Sequence, residues 1–154
     1  MIFSTLAHCA GDKVLPKEQR KDIENAIKAT DVAPSKGAAP KIRTQFLASL
    51  KRSGWTNKLT VATGSGMTIS ASRSAVGLCL QTGNMSRMYA DLMKLQTLYL
   101  DGAINSAAIV LPSSMVAKSL GSNIAASDRL ERELKIFRKA YHVPTIIYAL
   151  EVSE

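Results

Sequence analysis

The stretch SAVGLCLQT, residues 74–82, decides the fold of this chain. Apolar side chains alternate along it with small or polar ones, which predicts a β-strand with Val76, Leu78 and Leu80 on one face. The opposite face carries small or polar residues: Ala75, Gly77, Cys79 and Gln81. A face of that kind either packs closely against a neighbouring element or lines a cleft.

A helix and a second strand follow this stretch. Ser86 to Gly102 has a broad apolar face and ends at a glycine, which predicts a helix. AAIVL, residues 107–111, is wholly apolar and is followed by Pro112, as is typical of a strand buried on both faces. The order strand, helix, buried strand indicates a parallel βαβ unit with a right-handed crossover. We therefore predict a mixed sheet with residues 74–82 as its central strand and the helix packed across one face.

The remaining elements surround this unit. Apolar spacing and end signals predict helices at residues 16–30, 41–53, 113–120 and 127–141, the last of them with Phe137 facing inward. Strands are predicted at residues 59–63 and 67–70, as a hairpin around Gly64-Ser65-Gly66, and at residues 145–152. Since no repeat or linker interrupts the pattern, we expect a single α/β (α+β) domain over residues 1–154.

Composition limits the cellular setting. The chain is 46% hydrophobic and 21% charged, which is typical of a globular protein. We find neither an apolar run of about 18 residues nor a basic leader, so we expect no membrane span and no secretory signal. Cys9 and Cys79 are too few and too far apart for a disulfide framework or a zinc site. We expect a cytoplasmic protein with no cofactor.

The charge distribution indicates the partner. Twenty Lys and Arg face twelve Asp and Glu, for a net charge of +8. Residues 32–90 contain no acidic residue, although they contain eight Lys and Arg. We predict that this segment forms a uniformly positive surface, and phosphate backbones are the commonest partners of such surfaces.

Part of the sequence resembles a known family. AVGLCLQTGN at residues 75–84, YADL at residues 89–92 and IVLP at residues 109–112 resemble the core of BglII/BamHI-type restriction endonucleases, of the PD-(D/E)XK nuclease superfamily. In that group an apolar strand with Glu-x-Glu or Glu-x-Gln leads into Gly-Asn, and a helix and a buried strand follow. The resemblance covers residues 69–152, with a weaker similarity in AHCAG at residues 7–11. It implies a restriction-endonuclease-like mixed sheet flanked by helices, and a homodimer contact through the helix.

This sequence departs from the family pattern at the metal-binding positions. The resemblance places the metal-binding Asp of these nucleases at or near Ser70, their Glu at Cys79 and their third position at Gln81. Mg²⁺ prefers charged oxygen ligands, whereas a thiol is a soft ligand and a neutral amide at best orients water. The segment between Asp31 and Asp91 offers no acid as a substitute. We therefore expect a degenerate site with no catalytic residue and no metal, and Cys79 as a small buried hydrophobe.

The basic residues of the acid-free segment are the candidates for nucleic-acid contact. Together with the strand-end Asn84 they are Lys36, Lys41, Arg43, Lys51, Arg52, Lys58, Arg73, Asn84 and Arg87. Replacing Lys51 and Arg52 together by alanine is expected to flatten the salt dependence of binding by up to about two units. His8 and Cys9 are adjacent, but neighbours in sequence rarely meet in catalytic geometry, so we expect no catalytic role for them.

Three functions remain open at this point. The first is a DNA-binding pseudonuclease that contacts double-stranded DNA chiefly through phosphates. The second is an active Mg²⁺-dependent type II restriction endonuclease whose acids come from Asp91, Glu151 or a second chain. The third is an inhibitor or interaction module that pairs with a related nuclease through the helix.

Overall fold

A computed structural model describes residues 1–153. Within these residues the chain forms a six-stranded sheet with the strand order β1-β6-β5-β4-β3-β2. The strands are β1 Ile2–His8, β2 Thr56–Thr60, β3 Thr68–Arg73, β4 Val76–Leu80, β5 Ser106–Pro112 and β6 Thr145–Glu151. The pairs β4–β5 and β5–β6 are parallel and the others antiparallel, so the sheet is mixed, as the sequence predicts.

Helices cover both faces of this sheet. They are α1 Gly11–Val14, α2 Lys17–Ala29, α3 Ala39–Arg52, α4 Ser86–Leu100, α5 Ser114–Leu120 and α6 Ser127–Ile136, which continues into a 3₁₀ turn at Phe137–Lys139. Helices α2, α3 and α5 pack on one face, where Leu78 of β4 joins Phe46 in the core. Helices α4 and α6 pack on the other face, where Cys79 joins Leu95 and Leu130. In the part of the chain that the structure describes, residues 1–153, we find no helix with the length and hydropathy of a membrane span.

The central strand and its following helix lie where the sequence predicts them. β4 is bordered by β3 and β5, and α4 connects it to the parallel β5. A Cβ atom at Gly77 would lie 3.1–3.2 Å from side-chain atoms of Ile104, Ile69 and Leu95. The small face of β4 therefore packs closely against α4 near the first residues of the strand.

A tight turn joins β3 to β4. Ser74 and Ala75 have φ angles of 48° and 61°, and Arg73 pairs directly with Val76 across the turn. Two-residue hairpins with left-handed backbone match the twist of the strands, but they usually carry Asn-Gly. Ser-Ala gives no such signal, which is why the sequence predicts a strand that begins at residue 74 instead of Val76.

Strand β1 is missing from the sequence prediction. It is an edge strand whose residues are mostly exposed, so its sequence does not alternate clearly. Its partner is β6, with Ile2 opposite Glu151. A local sequence pattern cannot indicate a pairing between residues so far apart in the chain.

Two further elements have different bounds from those predicted. The hairpin forms, but its strands are Thr56–Thr60 and Thr68–Arg73, because the polar start of β2 pairs as an edge strand. Helix α6 ends at Ile136 instead of continuing to residue 141. The prediction of an inward Phe137 was wrong, since this side chain is 41% exposed.

Candidate functional site

A cleft of about 550 Å³ opens at the carboxyl end of β4. β4 ends at Leu80, and residues 81–83 lead from the strand towards α4. The first turn of α3 and strands β2 and β3 form the other walls. The polar side chains that line the cleft are Arg43, Lys58, Thr68, Ser70, Gln81, Thr82, Arg87, Asp91 and Lys94.

Two of the three positions at which the resemblance places metal ligands line this cleft, and the third lies next to it. Ser70 and Gln81 line it, while Cys79 lies in the adjacent core at 1% exposure. The Ser70 Oγ atom accepts a hydrogen bond of 3.0 Å from the Leu80 amide. Burial raises the pKa of the Cys79 thiol well above its ordinary value, and the charge of Asp91 raises it further. The positions thus present a hydroxyl, a protonated thiol and an amide.

Both ends of the Gln81 amide are bound by the protein. Its Nε2 donates a 2.6 Å hydrogen bond to Asp91 Oδ2, and its Oε1 accepts a 3.1 Å hydrogen bond from the Gly83 amide. The side chain therefore fixes the turn that leads into α4 and orients Asp91. This is a structural use of the amide, as a contact to backbone and to a carboxylate.

Asp91 is the one carboxylate in the cleft lining among the residues that the structure describes. It is 8% exposed. Burial raises its pKa above the ordinary value, whereas the hydrogen bond from Gln81 and the charges of Lys94, Arg43 and Arg87 oppose that rise. Lys94 Nζ lies 3.9 Å from Asp91 Oδ1, one helical turn away on α4.

Four cations line the cleft together with this carboxylate. Arg43 Nη1 donates a 3.1 Å hydrogen bond to the Leu80 carbonyl, which fixes the guanidinium at the end of β4. Lys58 enters from β2 with a φ of 56°, a left-handed backbone that costs about 1–2 kcal/mol in a residue other than glycine. Arg87 and Lys94 enter from α4. The described lining therefore carries four positive side chains against one negative one.

Several predicted contact residues lie outside the cleft. Lys36 is exposed before α3, and Lys41 is exposed on α3 itself. Lys51 and Arg52 are exposed in the last turn of α3, about 12 Å along the helix from Arg43. Of the nine candidate residues, the structure brings three together in the cleft: Arg43, Lys58 and Arg87.

Arg73 and Asn84 already have partners within the chain. Arg73 forms salt bridges with Glu18 and Asp22 of α2, so acids from outside the acid-free segment neutralise it. The predicted uniformly positive surface was therefore wrong at Arg73. Asn84 Oδ1 accepts hydrogen bonds from the backbone amide and the hydroxyl of Ser86, both at 2.9 Å, and so holds the first turn of α4.

The side chains of the cleft do not fit the Mg²⁺ ion that the family resemblance implies. Residues 1–153 contain no group of three or more His, Cys, Asp or Glu side chains placed to hold a metal. Asp91 is a single carboxylate, already bound by Gln81 and surrounded by cations. Glu151 accepts a hydrogen bond from Ser4 on the β1–β6 edge of the sheet, away from the cleft. A hard divalent cation prefers several charged oxygens, and this lining offers one.

His8 and Cys9 lie outside this site. His8 Nε2 is 2.8 Å from the Tyr141 carbonyl and 3.3 Å from Cys9 Sγ. Because a carbonyl oxygen only accepts, this nitrogen carries a proton and cannot take one from the thiol. The pair is therefore not arranged as a nucleophile with its base.

Comparison with solved structures identifies the class of scaffold. Restriction endonuclease BglII complexed with a DNA 16-mer matches with a TM-score of 0.85 and 14% identity, over 99% of this chain and 78% of that chain. Free BglII matches with a TM-score of 0.80 and 13% identity, over 99% and 81% of the two chains. The fold is thus that of a restriction endonuclease, and the predicted fold class is confirmed.

Sequence comparison gives the family. The model of the family described as restriction endonuclease BglII/BglIII matches residues 3–150, and the chain belongs to that family. No curated protein sequence matches this chain. The resemblance stated from residues 75–112 is therefore confirmed at the level of the family.

Sequence reasoning missed one cation of the cleft, Lys94, and the position of Asp91 beside it. The available signal was their spacing of three residues on a predicted helix, which places both on one face. The fixed amide of Gln81 left no signal, since its partners are defined only by the packing of α4 against β4.

Proposed function

We propose that this chain binds double-stranded DNA through the cleft and has lost the metal-binding carboxylates of a nuclease. The observation that carries the proposal is the charge of the described cleft lining, which has four cations and one carboxylate. This is the cleft in which the family resemblance places metal ligands. Cations so placed favour phosphate oxygens and disfavour a divalent cation. BglII itself was crystallised with a DNA 16-mer, which supports DNA as the partner.

An active Mg²⁺-dependent endonuclease is the second candidate. Asp91 supports it, because this carboxylate lies in the cleft beside Gln81. Glu151 does not support it, since that side chain lies on the other edge of the sheet. Such an enzyme needs further acids from a second chain.

We further propose that a second copy of the chain covers an apolar face beside the cleft. We also propose that the protein works in a reducing compartment such as the cytoplasm. Tyr89, Met93 and Phe137 line a hollow of about 440 Å³ on that face. Leu100 continues the stripe along α4, and Met93 and Leu100 are 72% and 70% exposed. An isologous dimer would bury this stripe against itself. Both cysteines of the described chain are free, which supports the compartment.

The salt dependence of DNA binding tests the main proposal. Each phosphate neutralised contributes about 0.9 to the slope of log affinity against log salt, so a cleft of this charge predicts a slope of about 3 to 5. In the variant K58A/R87A we expect a slope smaller by about two and weaker binding to every sequence. Fluorescence anisotropy with a labelled duplex measures both quantities. Neither side chain has an ion-pair partner in the described chain, so we expect this variant to keep its fold.

The matched control is K51A/R52A, which removes the same charge from the far end of α3. If DNA lies in the cleft, this control loses less affinity than K58A/R87A. A larger loss in K51A/R52A would place DNA along α3, as the sequence predicts. Absence of binding even at low salt would refute the proposal, and duplex cleavage that disappears with a chelator would favour the active endonuclease.

A further inference from the structure

The ammonium group of Lys94 occupies an unusual place in the cleft. It stands beside the one carboxylate of the described lining, at the site where the resemblance puts a divalent cation. We infer that the cleft binds a phosphate group directly, without a metal ion, and that Lys94 supplies the local positive charge in place of that ion. The inference rests on the proposed function and narrows it to a phosphate of nucleic acid or free inorganic phosphate.

The geometry leaves Lys94 available to a ligand. Its Nζ is 3.9 Å from Asp91 Oδ1, which is longer than the 2.7–3.2 Å of a hydrogen bond. Asp91 Oδ2 already accepts a 2.6 Å hydrogen bond from Gln81. The Lys94 ammonium group has three N–H donors, which can therefore bind another acceptor beside Asp91. The Lys94 side chain is 26% exposed, so it is partly held by its surroundings and still open to the cleft.

The other cations complete a phosphate-binding arrangement. Arg43 uses one nitrogen on the Leu80 carbonyl, and its remaining N–H groups match the geometry of phosphate oxygens. Lys58 and Arg87 enter from β2 and α4, so positive charge approaches from three elements. A phosphate group with one or two negative charges would offset part of the excess of three positive charges in the described lining.

Lys94 has a simpler alternative role, as a counter-ion that only neutralises Asp91. The double variant D91N/K94Q separates the two roles, because it removes both charges and keeps the net charge of the cleft unchanged. If Lys94 were only a counter-ion, this double variant would bind as the wild type does. If Lys94 contacts phosphate, the double variant binds DNA more weakly than the wild type does.

The first experiment measures the affinity for a labelled duplex in EDTA and in Mg²⁺ at equal ionic strength. We expect the two affinities to agree within about twofold, and K94Q to bind about tenfold more weakly in both, as for a lost charged hydrogen bond. The double variant D91N/K94Q is expected to remain at least about fivefold weaker than the wild type. Recovery to wild-type affinity, or a gain of tenfold or more with Mg²⁺, would overturn the inference.

The second experiment separates this inference from the proposed function. Inorganic phosphate is titrated into ¹⁵N-labelled protein, and amide shifts of residues 81–94 are followed. We expect shifts in the wild type and their loss in K94Q. Phosphate binding without duplex binding would refute the DNA proposal and keep the inference. Shifts that persist in K94Q, or no phosphate binding even at low salt, would overturn it.

Discussion

Substitutions at two positions, Ser70 and Cys79, would be enough to introduce the carboxylates that a metal site needs. Ser70 is held by the Leu80 amide on the wall of the cleft, and Cys79 is close enough to Asp91 for that charge to raise its pKa. Acidic side chains at positions 70 and 79 would therefore join Asp91 in one cluster. Three carboxylates within one cleft are a ligand set that Mg²⁺ accepts.

The variant S70D/C79E should consequently bind Mg²⁺ at least about tenfold more tightly than the wild type, as measured by isothermal titration calorimetry. The uncharged variant S70N/C79Q has the same side-chain sizes and is expected to show no gain. Cleavage need not return, because a catalytic constellation requires placement within about 0.5 Å. Equal Mg²⁺ affinities in the two folded variants would show that positions 70 and 79 do not converge on Asp91.

At the scale of elements, the turn between β3 and β4 positions the whole site. It sets the register in which Ala71 pairs with Leu78, and it thereby brings Ser70 beside the Leu80 amide. The turn uses left-handed backbone at Ser74 and Ala75, which residues with a Cβ atom adopt at a cost of about 1–2 kcal/mol each.

Replacing these two residues by the preferred pair, in S74N/A75G, should raise the free energy of unfolding by about 1–2 kcal/mol. Urea denaturation followed by circular dichroism measures the change. A48G on an exposed position of α3 is the control, and it should destabilise the protein by about 1 kcal/mol, since glycine is unfavourable in a helix. A loss of stability in S74N/A75G would mean that the turn has another conformation.

Elements with a strong local pattern were predictable, and those defined by pairing were not. Residues 76–80 and α4 carry their periodicity in the sequence, and the family resemblance located the cleft through Gln81. Strand β1 and the polar start of β2 are edge segments whose structure depends on distant partners. The contacts of Lys94 and Asp91 likewise depend on packing, so the sequence did not predict the cation beside this carboxylate.

At the scale of the whole molecule, one face is basic and an adjacent face is apolar. Helix α4 contributes to both, with Arg87 and Lys94 in the cleft and Met93 on the apolar stripe. A dimer formed through this stripe would hold two clefts in a fixed relation, which suits a duplex that contacts both copies.

The dimer proposal predicts that M93E weakens self-association by about tenfold or more, because a charge would be buried in the interface. Sedimentation velocity over a range of protein concentrations measures this. M115E is the matched control, since Met115 on α5 is 70% exposed, much as Met93 is, but lies outside the stripe. Equal behaviour of the two variants would contradict the proposed interface.

The position of β6 between β1 and β5 also determines when this sheet can be completed on the ribosome. Residues 145–151 are synthesised after every other strand, yet they pair with β1 on one side and with β5 on the other. Until they emerge, the wholly buried, apolar β5 has an open edge, and unpaired edges attract other chains. The nascent chain is therefore exposed to aggregation in the interval between the synthesis of β5 and the insertion of β6.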